Sequence, residues 1–564
     1  MARRPGPLFT IVTAAAVIAL AAAGLQSGAA QAKKPAAPPK PDKVVIIVVD
    51  ALSKEIVDKY DMDNVQALMA DGVDTPRSYL GHTGSVTVVT LNVITSGQLP
   101  KHMGWTGEGY RDVGNLLGGG EAGNPSNLYI TSDATTDLTK LQQAAGYPKL
   151  DDYLEGADPT AKQFTISPKG YAGFAFGSDA SDAIITFRSG TCNGVSGLWR
   201  RPSAGTPSYI ANPDDCSNRF WVHSNYDLFN YDTDKLPALL YPLDGDRYVT
   251  GHDAAHEGGD VWAADAAIAI MRSPDNWNGI FVTLPGVDKA AHMWGGVTDP
   301  GPTGADGDAM THMVAATAEA DEQVGRIMAE LETQGDLDDT LVVLTADHGS
   351  VAAAPGHFHG EDVAERDYGY FNWYYGDAEN DPLTYNRPQD ALLPLIDTGN
   401  VGLSYSDSML SVFLTDQSQA AVAEAAGVME GLPDVTAVWR RDGDHYTRVS
   451  PIRWDLMSSG GERSWFARKA QELVDTQAAV YGPDLVATLP DNTTYSVHGD
   501  HGGIQRASQQ IPIVFAGAGL SNRDLHAEFR SVDIMPTILK AMGIAATYPM
   551  DGVAYTLPTN GPHH

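Results

Sequence analysis

Aspartate and histidine side chains recur where apolar stretches of this chain end. Asp347 and His348 end the run LVVLTADHGS, and Asp50 ends the run KVVIIVVD. Asp288 follows a third apolar run, with His292 four residues later. Carboxylate and imidazole groups are the ligands that zinc and similar divalent ions take in catalytic sites. These residues therefore predict a metal centre.

The sequence predicts that the apolar runs which carry these residues are buried parallel strands. Each run is continuously apolar and of strand length, and open α/β sheets place their chemistry at the carboxyl ends of such strands. If a helix follows the third run, Asp288 and His292 lie one turn apart on it and can bind the same ion. Helical patterns alternate with the strands at Ser53 to Leu68, Val261 to Met271, Thr311 to Leu331 and Ser531 to Met542. We expect an α/β fold with a mostly parallel sheet sandwiched by helices.

The net charge of the chain limits the kinds of molecule that it is expected to bind. The 564 residues include 37 Lys and Arg against 71 Asp and Glu, so the formal net charge is −34. An acidic surface disfavours non-specific binding to nucleic acid or anionic membranes, and we expect no nucleic-acid partner beyond nucleotide substrates. An anionic small molecule would need a local positive centre, such as bound metal ions.

The N-terminus has the pattern of an export signal. An arginine pair precedes the apolar stretch Leu8 to Leu25, and Ala30 to Ala32 form a small-x-small cleavage site. We predict a signal peptide over 1–32, a proline-rich linker over 33–42, and a secreted or periplasmic protein with no stable membrane span. An uncleaved membrane anchor is the alternative.

A segment rich in Val and Thr carries the candidate nucleophile. Gly81 to Trp105 resembles the nucleophile region of the alkaline phosphatase superfamily, in its type I phosphodiesterase/nucleotide pyrophosphatase branch, where a Thr opens a helix that runs to a T-G-x-x-P-x-x-H-G-like turn. By this resemblance the nucleophile is Thr87, with Ser85 and Thr90 as alternative hydroxyls. Local propensity alone favours a strand here, whereas the resemblance implies a helix.

Further motifs follow the order of this family. The HGDHGG segment resembles the final metal histidine, which we assign to His501 with His498 as the alternative. Lys169 matches a lysine that contacts the phosphate in secreted monoesterases of the superfamily, but Tyr171 stands where these have Arg. Glu108 is nearest to the position of their phosphate-binding Asn. These two departures favour a diesterase over a monoesterase.

The resemblance implies an alkaline phosphatase-like catalytic domain over 43–564, with inserted cap segments at about 189–250 and 351–495. Cys192 and Cys216 lie in the first insertion and are interpreted as a single disulfide, with two free thiols as the alternative. In the second insertion, two strands around a helix suggest a small α+β subdomain, and we place its first histidines, His357 and His359, outside the metal centre.

The ligand types and the resemblance together predict a phosphoester hydrolase with two Zn²⁺, other divalent ions being possible. The first ion would be held by Asp50, Asp347 and His348 with Thr87, and the second by Asp288, His292 and His501. We expect cleavage of phosphodiesters or nucleotide pyrophosphates through a covalent phospho-threonine. An alkaline phosphomonoesterase is the alternative, followed by a head-group transferase and an inactive binding protein. Sulfatases are excluded because Thr87 lacks their C/S-x-P-x-R motif.

Overall fold

The computed structural model of the chain describes residues 40–130, 135–192, 194–203, 205–210, 220, 222–223, 257–294, 309–359, 390–496 and 499–559. The predicted signal peptide, most of the linker, Cys216 and His498 lie outside these residues, so the predictions made for them stay predictions. Within the described ranges, no helix combines the length and the apolar character that crossing a bilayer requires.

The strands of the described residues form one large sheet and several smaller ones. In chain order they are β1 Lys43–Val49, β2 Val73–Asp74, β3 Gly109–Arg111, β4 Leu128–Ile130, β5 Lys162–Ile166, β6 Ala183–Ile185, β7 Phe187–Cys192, β8 Val195–Pro202, β9 Val222–His223, β10 Trp277–Leu284, β11 Thr340–Thr345, β12 Val351–Ala352, β13 Val401–Ser406, β14 Met409–Leu414, β15 Ala437–Asp442, β16 His445–Arg448, β17 Leu485–Thr488, β18 Gly499–Asp500 and β19 Ile513–Gly517.

Helices connect these strands. In chain order they are α1 Lys54–Lys59, α2 Asp63–Asp71, α3 Thr87–Ser96, α4 Thr135–Ala145, α5 Leu150–Ala157, α6 Gly170–Phe176, α7 Glu257–Met271, α8 Gly286–Trp294, α9 Ala309–Gln334, α10 Leu393–Ile396, α11 Gln419–Glu430, α12 Gly460–Val474, α13 Arg506–Gln509 and α14 Ile534–Met542. Short 3₁₀ helices occur at Pro100–His102, Asp390–Leu392, Asp475–Gln477 and Ser531–Asp533.

The large sheet has the strand order β2-β19-β11-β1-β10-β5-β6. Strands β11, β1, β10, β5 and β6 run parallel, and β19 and β2 pair antiparallel at one edge. Residues of β1, β10 and β11 are almost all fully buried, as the continuous apolar runs predict. The expected mostly parallel sheet flanked by helices is therefore confirmed.

The register of the three central strands sets the level at which they end. Val49 pairs with Leu284, and Val48 pairs with Thr345, so β1, β10 and β11 finish side by side. The residues that follow these strands must consequently meet at one edge of the sheet.

One local prediction differs from the structure. Ser53 to Leu68 was expected to be one helix, but α1 and α2 are separated by a turn in which Asp61 has a φ of 47°. A positive φ cannot continue a right-handed helix.

The first insertion contains a small sheet of its own. Strands β7, β8 and β9 form a three-stranded antiparallel sheet there.

The second insertion contains a five-stranded antiparallel sheet of order β13-β14-β17-β15-β16. Helix α11 packs against it over a separate hydrophobic core that includes Leu410, Val438 and Met429. This arrangement confirms the small α+β subdomain that the sequence suggested.

Candidate metal centre

Three carboxylates meet where the central strands end. Asp50 directly follows β1, Asp347 comes two residues after β11, and Asp288 lies in the first turn of α8, which follows β10. All three are buried, with exposed fractions of at most 2%. The equal level of the strand ends explains why residues so distant in sequence come together.

Histidines complete two adjoining groups of ligand atoms. Within each group the nitrogen and oxygen atoms lie within 4.8 Å of one another; one is Asp50, Asp288 and His348, and the other is Asp288, His292 and His501. His348 Nε2 lies 3.3 Å from Asp50 Oδ1 and 3.5 Å from Asp347 Oδ2. The structure thus brings together all six Asp and His side chains predicted for the centre, with Asp288 common to both groups.

Two histidines have their remaining ring nitrogens engaged by backbone carbonyls. His348 Nδ1 lies 3.2 Å from Gly349 O, and His501 Nδ1 lies 3.1 Å from Ser85 O. Donation of an Nδ1–H to each carbonyl leaves Nε2 as the lone-pair nitrogen that faces the carboxylates. Metal-binding histidines are commonly oriented in this way.

The carboxylate oxygens leave a place for positive charge. Asp50 Oδ1 and Asp347 Oδ2 are buried and accept no hydrogen bond from any residue that the structure describes. Buried charged oxygens without donors are costly, and a divalent cation would satisfy both. The donor set of carboxylates and imidazoles therefore fits two divalent ions.

Electrostatics support the same assignment. Burial raises the pKa of Asp50 well above its usual range, with Asp288 and Asp347 adding to the effect. Burial likewise raises the pKa of Asp347 to about 6. Burial lowers the pKa of His348 and that of His501, so both imidazoles are neutral, which is the form that binds a metal.

Lys169 is the cation at the junction of the two groups. It is the N-cap residue of α6, and its Nζ contacts Asp50 Oδ2 and lies 2.8 Å from Asp288 Oδ2. Burial would lower the pKa of Lys169, but Asp288 and Asp50 hold it well above its ordinary value. For Asp288, burial would raise the pKa, but His292 and Lys169 hold it well below its usual range.

Thr87 is the hydroxyl beside the centre. It is the first residue of α3, and its Oγ1 lies 3.5 Å from His348 Nε2. The helix that the resemblance implied replaces the strand that local propensity favours. The alternative hydroxyls face other partners, Ser85 Oγ lying 3.3 Å from Ser508 Oγ and Thr90 Oγ1 lying 3.4 Å from His82 Nε2.

Other predicted residues take different places. Glu108 is buried and accepts a hydrogen bond of 2.7 Å from Tyr405 Oη in the second insertion. His357 and His359 both contact Asp434 Oδ2, at 2.9 Å and 2.7 Å, and belong to neither ligand group.

Sequence reasoning missed two charged residues next to the ligands. Lys289 is buried, and burial with the charge of Lys169 lowers its pKa to about 8. Asp260 is fully buried in α7. The signal for Asp260 in the sequence was an acidic residue just before the alanine-rich part of a predicted helix. Lys289 was overlooked because it occupies one of the unspecified positions of the D-x-x-x-H motif.

Comparisons with known proteins identify the family and the fold of this chain. A family model described as "Type I phosphodiesterase / nucleotide pyrophosphatase" matches residues 197–504. Wild-type alkaline phosphatase PafA superposes with a TM-score of 0.56 at 16% identity, covering 90% of this chain and 97% of its own. Murine ectonucleotide pyrophosphatase / phosphodiesterase 5 gives a TM-score of 0.50 at 11% identity, covering 91% and 97%. At such identities the likeness shows the fold alone. Among curated proteins, none matches this chain.

Proposed function

The chain belongs to the type I phosphodiesterase/nucleotide pyrophosphatase family, and on this basis we propose that it is an exported dinuclear zinc hydrolase that cleaves phosphodiesters or nucleotide pyrophosphates through a covalent phospho-threonine. The observation that carries the proposal is the position of Thr87 Oγ1, 3.5 Å from Nε2 of His348, which belongs to one of two adjoining Asp/His groups. Export is inferred from the N-terminal sequence pattern.

We assign the ligand atoms to two ions. Asp50, Asp347 and His348, with Thr87, would hold one, and Asp288, His292 and His501 would hold the other, although Asp288 also lies close to Asp50 and His348. Two bound divalent ions supply the positive charge that stabilises the attacking and leaving oxygens of an in-line displacement. Zinc suits three imidazole or carboxylate ligands per ion with room for further oxygens.

The chain's own residues position the reaction. Thr87 loses its hydroxyl proton to solvent, its Oγ1 bonds to phosphorus, and the bond from phosphorus to the leaving oxygen breaks, with that oxygen taking a proton from solvent. Water then attacks phosphorus and breaks the Oγ1–P bond, which restores the threonine and releases the phosphate product. Because Thr87 opens a ten-residue helix, the partial positive charge of the α3 N-terminus favours negative charge at this point. The ammonium group of Lys169 is proposed to bind the phosphate oxygens.

The second candidate is an alkaline phosphomonoesterase, which the buried ammonium of Lys169 favours because a dianionic phosphate gains more from an added cation. A turnover assay of the zinc-loaded protein on a nitrophenyl nucleotide diester and a nitrophenyl phosphate monoester separates the two. Faster diester cleavage supports the proposal, and faster monoester cleavage supports the phosphatase. Product that forms only with an added alcohol would indicate a transferase.

Threonine variants test the nucleophile in the same assay. We expect Thr87→Ala to lower kcat by about 10³-fold or more, with two zinc ions still bound, because the Asp and His ligands remain. Thr90→Ala is the matched control, since it removes a buried hydroxyl of the same helix and should stay within a few-fold of wild type. An active Thr87→Ala variant would refute the assignment.

A further inference from the structure

Asp260 lies in α7, and its side chain contacts the first residue of α8, the helix that carries the proposed ligands Asp288 and His292. It projects from α7 and has no exposed surface. Its Oδ1 accepts a hydrogen bond of 3.0 Å from the backbone N–H of Gly286, the first residue of α8. Asp288 follows two residues later and His292 one turn beyond it.

The local sequence provides no cap for α8. The residues before it are Leu284 and Pro285, which have no side-chain oxygen, so the free N–H groups of the first turn need an acceptor from elsewhere. Asp260 supplies this acceptor from a neighbouring helix. The position of the first turn of α8, and with it the carboxylate of Asp288, therefore depends on a contact made by α7.

The second oxygen of Asp260 makes this side chain unfavourable to bury. Oδ2 is buried and has no hydrogen-bond partner among the described residues. Leaving such an oxygen unsatisfied costs roughly 1–3 kcal/mol. Burial raises the pKa of Asp260 well above its usual range, and the charges of Glu319 and Asp50 add to the effect. The hydrogen bond from Gly286 N to Oδ1 is the contact that offsets part of this cost.

We propose that Asp260 is a positioning residue for the ion that Asp288, His292 and His501 would hold. Its hydrogen bond to Gly286 orients α8, so that Asp288 Oδ1 faces His292 Nε2 at 3.0 Å and His501 Nε2 at 3.9 Å. The inference rests on the proposed function for the presence of that ion, but its contact is a property of the protein alone.

Three variants isolate this contact. Asp260→Ala removes the acceptor, Asp260→Asn keeps an acceptor oxygen of the same shape, and Gly286→Pro removes the donor at a first helical position, where proline is well tolerated. Asp321→Ala is the matched control, because Asp321 is also buried and accepts a hydrogen bond of 2.9 Å from Val65 N near the start of α2.

Two measurements are made on each protein. Hydrogen exchange of the metal-free protein measures the exchange rate of the peptide that covers α8. Zinc titration with a competing chelator measures the affinity of the protein for each ion. We expect Asp260→Ala and Gly286→Pro to speed exchange in α8 at least 10-fold and to weaken one of the two zinc ions by about 10- to 100-fold. Asp260→Asn should stay within about 3-fold of wild type, and Asp321→Ala should leave α8 exchange and both affinities unchanged.

The outcomes separate the two proposals. Wild-type exchange in α8 of Asp260→Ala, or an equal loss of zinc affinity in Asp321→Ala, would overturn the positioning role. If Asp260→Ala does not fold, Gly286→Pro decides in its place, and wild-type behaviour of that variant also overturns the role. A wild-type protein that binds zinc without turning over either ester contradicts the proposed function, whereas the exchange result for α8 stands by itself.

Discussion

At the scale of one residue, Asp347 has one carboxylate oxygen that is hydrogen-bonded and one that is buried without a donor among the described residues. Its Oδ1 accepts hydrogen bonds from Ala51 N at 3.2 Å and His348 N at 3.0 Å, while Oδ2 has no donor among the described residues. One oxygen therefore fixes the side chain, and the other is available for an ion. A group arranged in this way is expected to be unfavourable in the metal-free protein and favourable once a cation is bound.

The cost of burying the Asp347 carboxylate in the metal-free protein can be tested by changing the pH. The carboxyl has an ordinary value of 3.8, which applies to the unfolded chain, and a folded value of about 6. The folded chain binds the proton more tightly, so the Asp347 contribution to stability is lost as pH rises from about 4 through 6. A difference of about two units corresponds to about 3 kcal/mol.

We therefore expect the metal-free Asp347→Asn variant to be more stable than wild type at pH 8, by up to about 3 kcal/mol, with no gain at pH 4. Asparagine keeps the oxygen that accepts from Ala51 N and His348 N, and it replaces the charged Oδ2 by a neutral NH₂ group. Urea unfolding of the chelator-treated proteins at both pH values measures this, and zinc should stabilise the wild type more than the variant, which keeps the three ligands of the second ion.

Asp484→Asn is the control, because it should change the stability at pH 8 in the opposite direction. Burial alone would raise the pKa of Asp484, but the hydrogen bond from Arg111 holds it below its usual range. This variant should lose stability at pH 8. Equal pH profiles for wild type and Asp347→Asn would contradict the strained carboxylate.

At the scale of one element, α3 is a helix that its own composition does not favour. Its sequence TVVTLNVITS is rich in β-branched residues, and every residue is buried. Packing against α6 and α14 therefore outweighs local propensity. Gly97 ends the helix with a φ of 66°, and its carbonyl accepts a hydrogen bond of 2.9 Å from Asp551 N.

Gly97→Ala is expected to lower the free energy of unfolding by roughly 1–2 kcal/mol, since a left-handed conformation is unfavourable for a residue with a Cβ. The new methyl group would also lie 3.1 Å from Met550 Sδ. Gly146→Ala is the control, because Gly146 has a φ of 73° but open space at the position that an added Cβ would take. Denaturant unfolding should show a larger loss of stability at Gly97 than at Gly146, and equal losses would mean that Met550 moves aside freely.

At the scale of the whole molecule, the candidate centre joins distant parts of the chain. Its residues extend from Asp50 to His501, and the five-stranded sheet of the second insertion lies between His348 and His501 in sequence. Ions held there would link the large sheet to the segment that follows the subdomain. They would also provide the local positive charge that a phosphoester needs to approach a protein of net charge −34.

Chelation is accordingly expected to lower the thermal midpoint and to abolish turnover, and added zinc should restore both. At a zinc concentration of about 1,000 times Kd, the bound ion contributes about 4 kcal/mol to the free energy of unfolding. Asp288→Ala is the informative variant, because Asp288 belongs to both ligand groups and its loss should remove most of the zinc-dependent shift. A midpoint that does not respond to chelation would show that the centre holds no tightly bound metal.

The sequence alone determined the residue types of the candidate centre and most of the strands that carry them. Continuous apolar runs mark buried parallel strands, and Asp50, Asp288 and Asp347 are recognisable because a charged residue so close to such a run is unusual. The α/β fold, the mostly parallel sheet and the α+β subdomain followed from these patterns and from the family resemblance.

Only the tertiary structure decided how these residues are arranged around each other. The common level of the strand ends depends on register, which pairing partners far away in sequence establish. The contact of Lys169 with two carboxylates and the cap that Asp260 provides to α8 join residues with no local relation. Burial then favours a helix at α3 against its local propensity, because packing contributes more than the intrinsic preference of Val and Thr.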